Sequence, residues 1–376
     1  MNILVLGAGL VGAPMALDLA KEPSFRVTSA DISQDALDRV ASSGTVAIRQ
    51  CDVGDRQVLS TLIAQFDLIV SAVPGFLGFE TLRTIIDAGK NVVDISFFPE
   101  DPYLLEEQAR TKNVTALVDF GLCPGTDGLL VGHAAAMLDT VEEVLIYVGG
   151  LPQVRQWPFE YKAVFSPIDV IEEYTRPARL VEHGVEIVRP ALSDPELITL
   201  PGIGTLEAFN TDGLRTLLRN IRARSMKEKT LRYPGHAALM KTLREVGFFS
   251  KDPVNVHGAP VKPVDLTAAL LFPQWKMQKG EGDVTVMRVI VAGAKNGAHK
   301  AIQYDMNDRW DQATETLSMA RTTGYAATAA VRMLSKGLFN DRGIIAPEIV
   351  GRRPSCVEFI LGELAKRGVV YERSES

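Results

Sequence analysis

Residues 2–22 read NILVLGAGLVGAPMALDLAKE, and this stretch decides the fold class. A short β-type run is followed by Gly7, Gly9 and Gly12 in the spacing G-x-G-x-x-G, and then by a helical pattern. In that context Gly7 permits a tight turn, Gly9 lets the backbone approach a pyrophosphate, and Gly12 lets the helix pack closely on the strand. The free N–H groups of the helix would then bind the phosphates. The stretch predicts a dinucleotide-binding domain of the Rossmann type.

The residue that ends the second strand pattern indicates which dinucleotide is bound. That residue is Asp31, and no arginine follows it immediately. An acidic side chain at this point accepts hydrogen bonds from the ribose 2′-OH and repels a 2′-phosphate. The sequence therefore predicts NAD rather than NADP, with Leu10 and Val11 inside the glycine motif also at the cofactor. The alternative, Asp31 as a helix N-cap, is weaker in the presence of the fingerprint.

Strand and helix patterns keep alternating as far as residue 125. Such alternation predicts an α/β fold with a doubly wound parallel sheet and right-handed crossovers. Ligands of these sheets lie at the carboxyl ends of the strands. This edge receives Asp52, near the adenine, and also Val73, Pro74, Ser96 and Asp119. Each of these could instead be an ordinary loop residue.

The pattern changes after residue 125. Long β-type segments follow without regular helical crossovers, which predicts a second α+β domain over residues 126–315 with a mixed, largely antiparallel sheet. The helical patterns of residues 316–376 are expected to pack back on the first domain, residues 1–125.

Composition excludes several classes of protein. A formal net charge of −6 argues against a nucleic-acid partner, which would require a basic face. The cysteines Cys51, Cys123 and Cys356 are widely spaced and match neither a disulfide framework nor a metal site. The apolar N-terminus lacks the cationic start of a signal peptide, and no stretch reaches the length of a membrane span. A cytoplasmic protein without a membrane partner is expected.

Six motifs together resemble the saccharopine dehydrogenase family over nearly the whole chain. They are VLGAGLVG (5–12), DFGLCPG (119–125), YVGGLP (147–152), EYKAVFS (160–166), LEAFNTDG (206–213) and KTLRYPGHAALMKTL (229–243). Within the family the chain looks most like the NAD-dependent L-lysine 6-dehydrogenases. One motif departs from that subfamily, because SAVPGF (71–76) looks closer to the glutamate-forming saccharopine enzymes.

The resemblance implies an NAD-dependent dehydrogenase that oxidises the ε-amine of L-lysine to 2-aminoadipate 6-semialdehyde by hydride transfer. One alternative is a saccharopine dehydrogenase or reductase, which acts on the secondary amine of saccharopine. That substrate carries three carboxylates and would need a further cation, for which the candidates are Arg155, Arg176, Arg215, Arg219 and Arg244. The other alternative is an NAD-binding sensor that retains the fold without catalysis, because a fold alone does not establish activity.

An amino-acid substrate needs a cation for its carboxylate and anions for its amines. Arg232 is the candidate for the carboxylate, since arginine binds carboxylates bidentately. Its alternative role is a structural ion pair with an acid such as Glu228 or Glu245. Glu207 and Asp119 are the candidates for the amines.

Proton transfer needs a group that titrates near neutral pH. His236 is the candidate for the base or proton relay, with Tyr161 and Tyr233 as hydrogen-bond partners. Equally, His236 could be a helix-start residue with a structural ring. Cys123 has no cation adjacent in sequence, so a packing role is expected for its thiol.

Assembly into a homodimer through the second domain is also expected. The reason is the apolar strand pattern of residues 284–292, which one small domain would leave uncovered.

Overall fold

All residues, Met1–Ser376, are described by the structure, which is a computed structural model. The chain forms two units. The first contains Met1–Met137 and Ala320–Tyr371, and the second contains Leu138–Met319 and Glu372–Ser376. The helix at 126–137 thus belongs with the dinucleotide-type unit, whereas the sequence pattern assigned it to the second domain.

Strands and helices alternate through the first part of the first unit. The strands are β1 (Asn2–Leu6), β2 (Arg26–Asp31), β3 (Ala47–Gln50), β4 (Leu68–Ser71), β5 (Asn91–Asp94) and β6 (Thr115–Leu117). The helices are α1 (Gly12–Leu19), α2 (Gln34–Ala41), α3 (Arg56–Ile63), α4 (Gly75–Asp87), α5 (Glu106–Thr111) and α6 (Thr126–Met137). A turn of 3-10 helix at Pro102–Leu105 precedes α5.

Long strands dominate the second unit. They are β7 (Thr140–Pro152), β8 (Ala178–Glu182), β9 (Val185–Arg189), β10 (Glu196–Leu200), β11 (Gly204–Asn210), β12 (Ser225–Arg232), β13 (Val254–Val256), β14 (Ala259–Val261), β15 (Asp283–Lys295) and β16 (Ala298–Arg309). The helices are α7 (Pro167–Thr175), α8 (Leu217–Asn220), α9 (His236–Val246) and α10 (Pro263–Trp275). The chain ends with α11 (Ser318–Ser335), β17 (Gly343–Ile345), α12 (Pro347–Gly351), α13 (Pro354–Ala365) and β18 (Tyr371–Glu375).

The sheet of the first unit is parallel and has seven strands in the order β17-β6-β5-β4-β1-β2-β3. Its central strand β1 is a continuous apolar run whose Ile3, Leu4, Val5 and Leu6 are fully buried, as expected where helices cover both faces of a sheet. The order reverses between β1 and β4, which is where such folds bind nucleotides. β17 comes from the C-terminal part of the chain, so both ends of the chain build this sheet. The predicted Rossmann-type fold class is confirmed.

The main sheet of the second unit is mixed. Its path runs β10-β11-β12-β7-β15-β16-β18, and β8 and β9 are attached beside β12. β12 pairs with β7 in parallel, whereas β15 pairs antiparallel with both of its neighbours β7 and β16. The predicted mixed, largely antiparallel sheet is therefore confirmed.

The strand that motivated a dimer lies in the middle of this sheet. In β15 the side chains of Val284, Val286, Val289 and Val291 are all buried within one chain. They leave no uncovered apolar strand, so this reason for a dimer does not hold; the dimer itself stays a prediction. No helix of the chain is both long enough and apolar enough to cross a bilayer.

A buried carboxylate ties the C-terminal helices of the first unit to the glycine motif. Asp18, on α1, accepts hydrogen bonds from Arg332 Nη1 and Arg367 Nε, both at 2.8 Å, and from Thr328 Oγ1 at 2.7 Å. Burial acts to raise the pKa of Asp18, but the two guanidinium groups outweigh it, and the pKa lies below its ordinary value. Two cations and a hydroxyl thus compensate the cost of burying this charge on α1.

Arg332→Met should destabilise the first unit strongly, because it removes one partner of a buried charge. We expect a loss of about 3–5 kcal/mol in the free energy of unfolding, measured by urea denaturation. The matched control is Arg56→Met, which breaks the solvent-exposed ion pair with Asp87 and should cost less than about 1 kcal/mol. Similar losses in the two variants would show that Asp18 does not depend on its arginine partner.

Candidate functional site

The glycine motif is packed as tightly as its proposed role requires. Gly7 has a φ of 99°, and a Cβ there would lie 2.5 Å from the carbonyl oxygen of Ala72. A Cβ on Gly12 would lie 2.1 Å from the carbonyl oxygen of Gly7. At Gly9 a Cβ would meet no atom within 4 Å. Internal packing therefore explains two of the glycines, and the third faces open space at the point where a phosphate would approach the backbone. These residues fit a dinucleotide.

Asp31 is the last residue of β2, and its carboxylate lies against the glycine motif. Oδ2 accepts a hydrogen bond from the N–H of Ala8 at 2.7 Å, and Oδ1 accepts one from the N–H of Ser33 at 2.8 Å. Ser33, not Asp31, is the N-cap of α2, since its Oγ accepts the N–H of Ala36. Asp31 is thus held at the cofactor end of the sheet, and a carboxylate can accept further hydrogen bonds there.

The other residues predicted at this edge lie in turns and loops or at the starts of helices. Leu10 is exposed and Val11 is half-buried, both in the turn before α1. Asp52 is exposed and accepts the N–H of Gly54, which is a turn role. Val73 is buried directly after β4, and Pro74 is the exposed N-cap of α4. Their contacts with a cofactor stay predictions.

A fully buried carboxyl group, Asp94, ends β5 on the same edge. Its Oδ1 accepts hydrogen bonds from the N–H of Ser96 at 3.0 Å and from Ser96 Oγ at 2.7 Å, while Oδ2 has no hydrogen-bond partner. Ser71, at the end of β4, shares a hydrogen bond with Ser96. Burial raises the pKa of Asp94 to about 7, and nearby Asp119 contributes to the rise. Burial thus favours the neutral form of this carboxyl group.

The loop after β6 brings two more buried carboxyl groups to this edge. Asp119 has a φ of 53°, a conformation that aspartate tolerates better than most residues. Asp127, at the start of α6, accepts hydrogen bonds from the N–H of Gly125 at 2.6 Å and from Cys123 Sγ at 3.0 Å. Burial raises the pKa of Asp127 to about 6, and Asp119 again contributes. Asp94 and Asp127 were missed from sequence, although Asp94 ends an apolar strand pattern and could have been singled out by that position.

In the second unit, Arg232 ends β12 and is buried in an internal ion pair. Its Nη2 donates to Glu173 Oε2 at 2.8 Å, its Nε donates to Tyr174 Oη at 3.2 Å, and the guanidinium lies 4.7 Å from the ring centroid of Tyr161. The alternative of a structural ion pair therefore describes this geometry, but the acid is Glu173. The acids named from sequence have other partners: Glu228 accepts from Thr211, and Glu245 pairs with Arg244.

His236 begins α9 and is buried with both ring nitrogens bonded. Nδ1 lies 2.8 Å from the carbonyl oxygen of Phe159, and Nε2 lies 2.8 Å from Tyr174 Oη. A carbonyl only accepts, so Nδ1 carries the hydrogen and Nε2 accepts from the tyrosine. Burial first, and then the charge of Arg232, lower the pKa of His236 to about 3. The ring is neutral at pH 7 and already bonded, which contradicts the predicted general base and fits the structural alternative.

Of the remaining candidates of this unit, Tyr233 and Glu207 form internal hydrogen bonds, whereas Tyr161 is buried in ring contacts. Tyr161 is buried with its ring 5.0 Å from that of His236, whereas Tyr233 donates its hydroxyl hydrogen to the carbonyl oxygen of Pro152. Glu207 Oε2 accepts the N–H groups of Gly235 and Ala237, so it caps the N-terminus of α9. The structure thus brings Arg232, Tyr161 and His236 together and holds Tyr233 and Glu207 in other bonds.

Three arginines of the second unit lie near the carboxylate of Asp212. Arg179 binds its carboxylate with two hydrogen bonds, Nε to Oδ1 at 2.9 Å and Nη2 to Oδ2 at 3.0 Å. Burial lowers the pKa of Arg176, and the positive charge of Arg215 lowers it further. The three arginines, Arg176, Arg179 and Arg215, therefore lie close enough to act on one another electrostatically.

Two family models match the chain. The saccharopine dehydrogenase NADP binding domain matches residues 3–117, and the saccharopine dehydrogenase C-terminal domain matches residues 121–369. The chain belongs to the saccharopine dehydrogenase family. A dinucleotide-binding domain is therefore present.

Named relatives in this family are distant in sequence. Alpha-aminoadipic semialdehyde synthase of Bos taurus is 26% identical over 267 residues, which is 67% of this chain and 29% of that protein. Saccharopine dehydrogenase [NADP(+), L-glutamate-forming] of Saccharomyces cerevisiae is 27% identical over 279 residues, 69% of this chain and 61% of that protein. The chain thus spans less than a third of the first relative and about three-fifths of the second.

Two solved structures share the fold. Apo saccharopine dehydrogenase (L-Glu forming) from Saccharomyces cerevisiae matches with a TM-score of 0.81 at 20% identity, covering 100% of this chain and 99% of that chain. Homospermidine synthase from Legionella pneumophila in complex with NAD matches with a TM-score of 0.67 at 15% identity, covering 99% and 91%.

Asp94→Asn should stabilise the protein, and more so as the pH rises. The folded state holds the Asp94 proton up to about pH 7. The stability that this proton contributes is complete below the unfolded pKa and is lost as the pH rises through the folded pKa. Asparagine keeps the acceptor for Ser96 and never ionises. We expect a gain on the order of 3 kcal/mol near pH 8 that shrinks toward pH 4, measured by urea unfolding across pH. Exposed Asp52→Asn is the control, and the same pH dependence in both variants would contradict the assignment.

Proposed function

We propose that this chain is an NAD-linked dehydrogenase that oxidises the bond between the ε-carbon and the ε-nitrogen of a lysine-derived amino acid. The observation that carries the proposal is the family match over both units, together with a glycine motif whose packing leaves room for a dinucleotide. The cofactor supplies the hydride acceptor. The chain's own residues must bind and orient the amino acid and manage its proton.

Two substrates are consistent with this proposal, and the hydride leaves the same carbon in both. A saccharopine enzyme that forms glutamate splits the secondary amine so that the six-carbon fragment keeps the carbonyl group. Oxidation of free lysine at its ε-carbon gives the same 2-aminoadipate 6-semialdehyde, with ammonia in place of glutamate. The candidates therefore differ only in the group that the nitrogen carries away.

The named relatives favour the secondary amine, because they are described as glutamate-forming saccharopine enzymes and as alpha-aminoadipic semialdehyde synthases. The charges of the second unit point the same way. Saccharopine carries three carboxylates, and Arg176, Arg179 and Arg215 are concentrated around one buried acid, Asp212. Planar guanidinium groups suit carboxylates. We therefore place saccharopine first and L-lysine second.

Substrate choice can be tested on one arginine of that cluster. With NAD, the wild type should oxidise saccharopine, releasing glutamate, with a higher kcat/KM than L-lysine. Arg176→Ala should lower kcat/KM for saccharopine about 10- to 100-fold, the loss expected for a charge-assisted hydrogen bond, and should affect lysine much less. NADH absorbance and glutamate release measure the outcome. Arg155→Ala is the control, since Arg155 is partly exposed and paired with Glu160. Equal losses for both substrates would count against a carboxylate role for the cluster.

The proposal of NAD rests on Asp31. Its carboxylate is fixed by two backbone N–H groups beside the glycine motif, where a 2′-phosphate would meet a negative charge. The relatives named above include an enzyme described as NADP(+)-linked, and the matching N-terminal family model is described as NADP binding. The two cofactors must therefore be compared directly.

Calorimetry should show tighter binding of NAD than of NADP to the wild-type protein. Asp31→Ala combined with Ile32→Arg should reverse the preference, because it removes the repelling charge and adds a cation at an exposed position. Ile32→Arg alone, which keeps the carboxylate, is the control and should shift the preference less. NADP binding as tight as NAD in the wild type would remove the role given to Asp31.

A further inference from the structure

The proposed reaction needs a group that exchanges a proton with the substrate nitrogen, and His236 does not fit that task. Other ionisable groups lie at the carboxyl edge of the sheet in the first unit. Three carboxyl groups gather there, on β5, on the loop after β6 and on α6: Asp94, Asp119 and Asp127. All three are buried.

Cys123, which is hydrogen-bonded to one of these carboxyls, is partly exposed. Its Sγ donates to Asp127 Oδ2 at 3.0 Å, while the N–H of Gly125 holds Oδ1 at 2.6 Å. The loop that carries Cys123 crosses the ends of the strands, because Phe120 N–H donates to the carbonyl oxygen of Asp94. The thiol thus lies on the edge at which such sheets bind dinucleotides.

Asp94 is a further buried carboxyl group on this edge. Its Oδ2 is buried without a hydrogen-bond partner, on the strand next to the one that precedes the Cys123 loop. Ionisation of a carboxyl group buried in this way is costly, so Asp94 holds its proton more firmly than a carboxyl group in water. The fold therefore keeps a set of buried carboxyl groups beside a partly exposed thiol.

We propose that Cys123 and Asp127 form the acid–base couple of the C–N oxidation, with Cys123 in contact with the substrate nitrogen and Asp127 holding the proton. The inference rests on the proposed function. Cys123 is then a catalytic residue, and Asp127 acts through it.

The proposed proton transfer involves the substrate nitrogen, the Cys123 thiol and the Asp127 carboxylate. The substrate ammonium passes one N–H proton to Cys123 Sγ, while the Sγ–H proton moves to Asp127 Oδ2. The nitrogen becomes a neutral amine, the thiol is unchanged, and the carboxylate becomes a carboxylic acid. Hydride then leaves the ε-carbon with its electron pair for the bound dinucleotide, which is the oxidant, and a C=N bond forms in the substrate. Water adds to that bond and releases the amine. In the reverse direction Asp127 returns the proton through the thiol.

The surroundings of Asp127 set the pH at which it accepts the proton. The groups that face it are the Cys123 thiol, the N–H groups of Gly125 and Gly128, and the Asp119 carboxylate, with Glu348 of α12 beside Gly128. Burial and the Asp119 charge raise the pKa of Asp127, whereas the hydrogen bonds lower it, and the balance lies at about 6. A base with this pKa is ionised at neutral pH and loses its function as the solution becomes acidic.

The first test measures the reactivity of the Cys123 thiol in the absence of substrate. Iodoacetamide labelling, followed by mass spectrometry, reports Cys123 alone, since Cys51 and Cys356 are buried and act as internal controls. A neighbouring carboxylate disfavours the thiolate. Asp127→Asn should therefore move the pH midpoint of labelling down by about one unit or more, and NAD should slow labelling of the wild type. An unchanged midpoint, or labelling indifferent to NAD, would overturn the couple.

The second test measures how kcat depends on pH. In the oxidative direction, kcat of the wild type should fall below about pH 6. Asp127→Asn should lower kcat about 10²- to 10⁴-fold and abolish this acidic limb of the pH–rate profile. Cys123→Ser, which keeps an O–H relay, should retain the limb, and Cys123→Ala should lose it. The Cys123 pair decides the matter if Asp127→Asn fails to fold in circular dichroism. An active wild type whose Cys123→Ala variant keeps both rate and limb overturns this inference alone. A wild type that oxidises no amine overturns the proposed function, and the inference with it.

Discussion

Close approach of backbone to backbone at the first turn governs the nucleotide end of this protein. The carbonyl oxygen of Ala72 occupies the space that a side chain on Gly7 would need, and the carbonyl oxygen of Gly7 does the same to Gly12. β1, β4 and α1 can therefore approach one another only through glycine. Because the sheet is parallel, this single packing constraint also collects Asp31, Asp94 and the loop that carries Asp119 and Cys123 at one edge. The chemistry proposed for the chain depends on that edge.

The first unit buries the carboxyl groups of Asp18 and Asp94 in different electrostatic surroundings. Asp18 is paired with two arginines and stays ionised, so it contributes stability at neutral pH. Asp94 has no cation, and burial drives it toward its protonated form. A side chain that costs stability in this way is typical of a functional edge, whereas the Asp18 pairing is a means of fastening helices together.

The sequence was sufficient for the fold class, because alternating apolar patterns and a glycine motif are local signals. It also identified Gly7, Gly9, Gly12 and Asp31, whose roles follow from position along a strand and a turn. It named the wrong acid for the ion pair of Arg232, because the partner Glu173 comes from α7 and is brought near only by tertiary packing. The same limit applies to His236, since neither Tyr174 nor Phe159 is near it along the chain. Asp127 could not be paired with Cys123 from sequence, because their hydrogen bond forms only when the loop folds back on α6.

Protonation separates the roles of the two units. His236 has a pKa of about 3 and a neutral ring with both nitrogens bonded, so it cannot follow a proton at physiological pH without breaking its bonds. Asp127 has a pKa of about 6 and a thiol that links it to the surface. A group is an effective acid or base when its pKa lies near the working pH, which favours the carboxyl group over the imidazole. The Arg232, Tyr174 and His236 contacts then serve to fix β12, α7 and α9 of the second unit in register. In the proposed couple, the unit that carries the dinucleotide-binding motif also manages the proton.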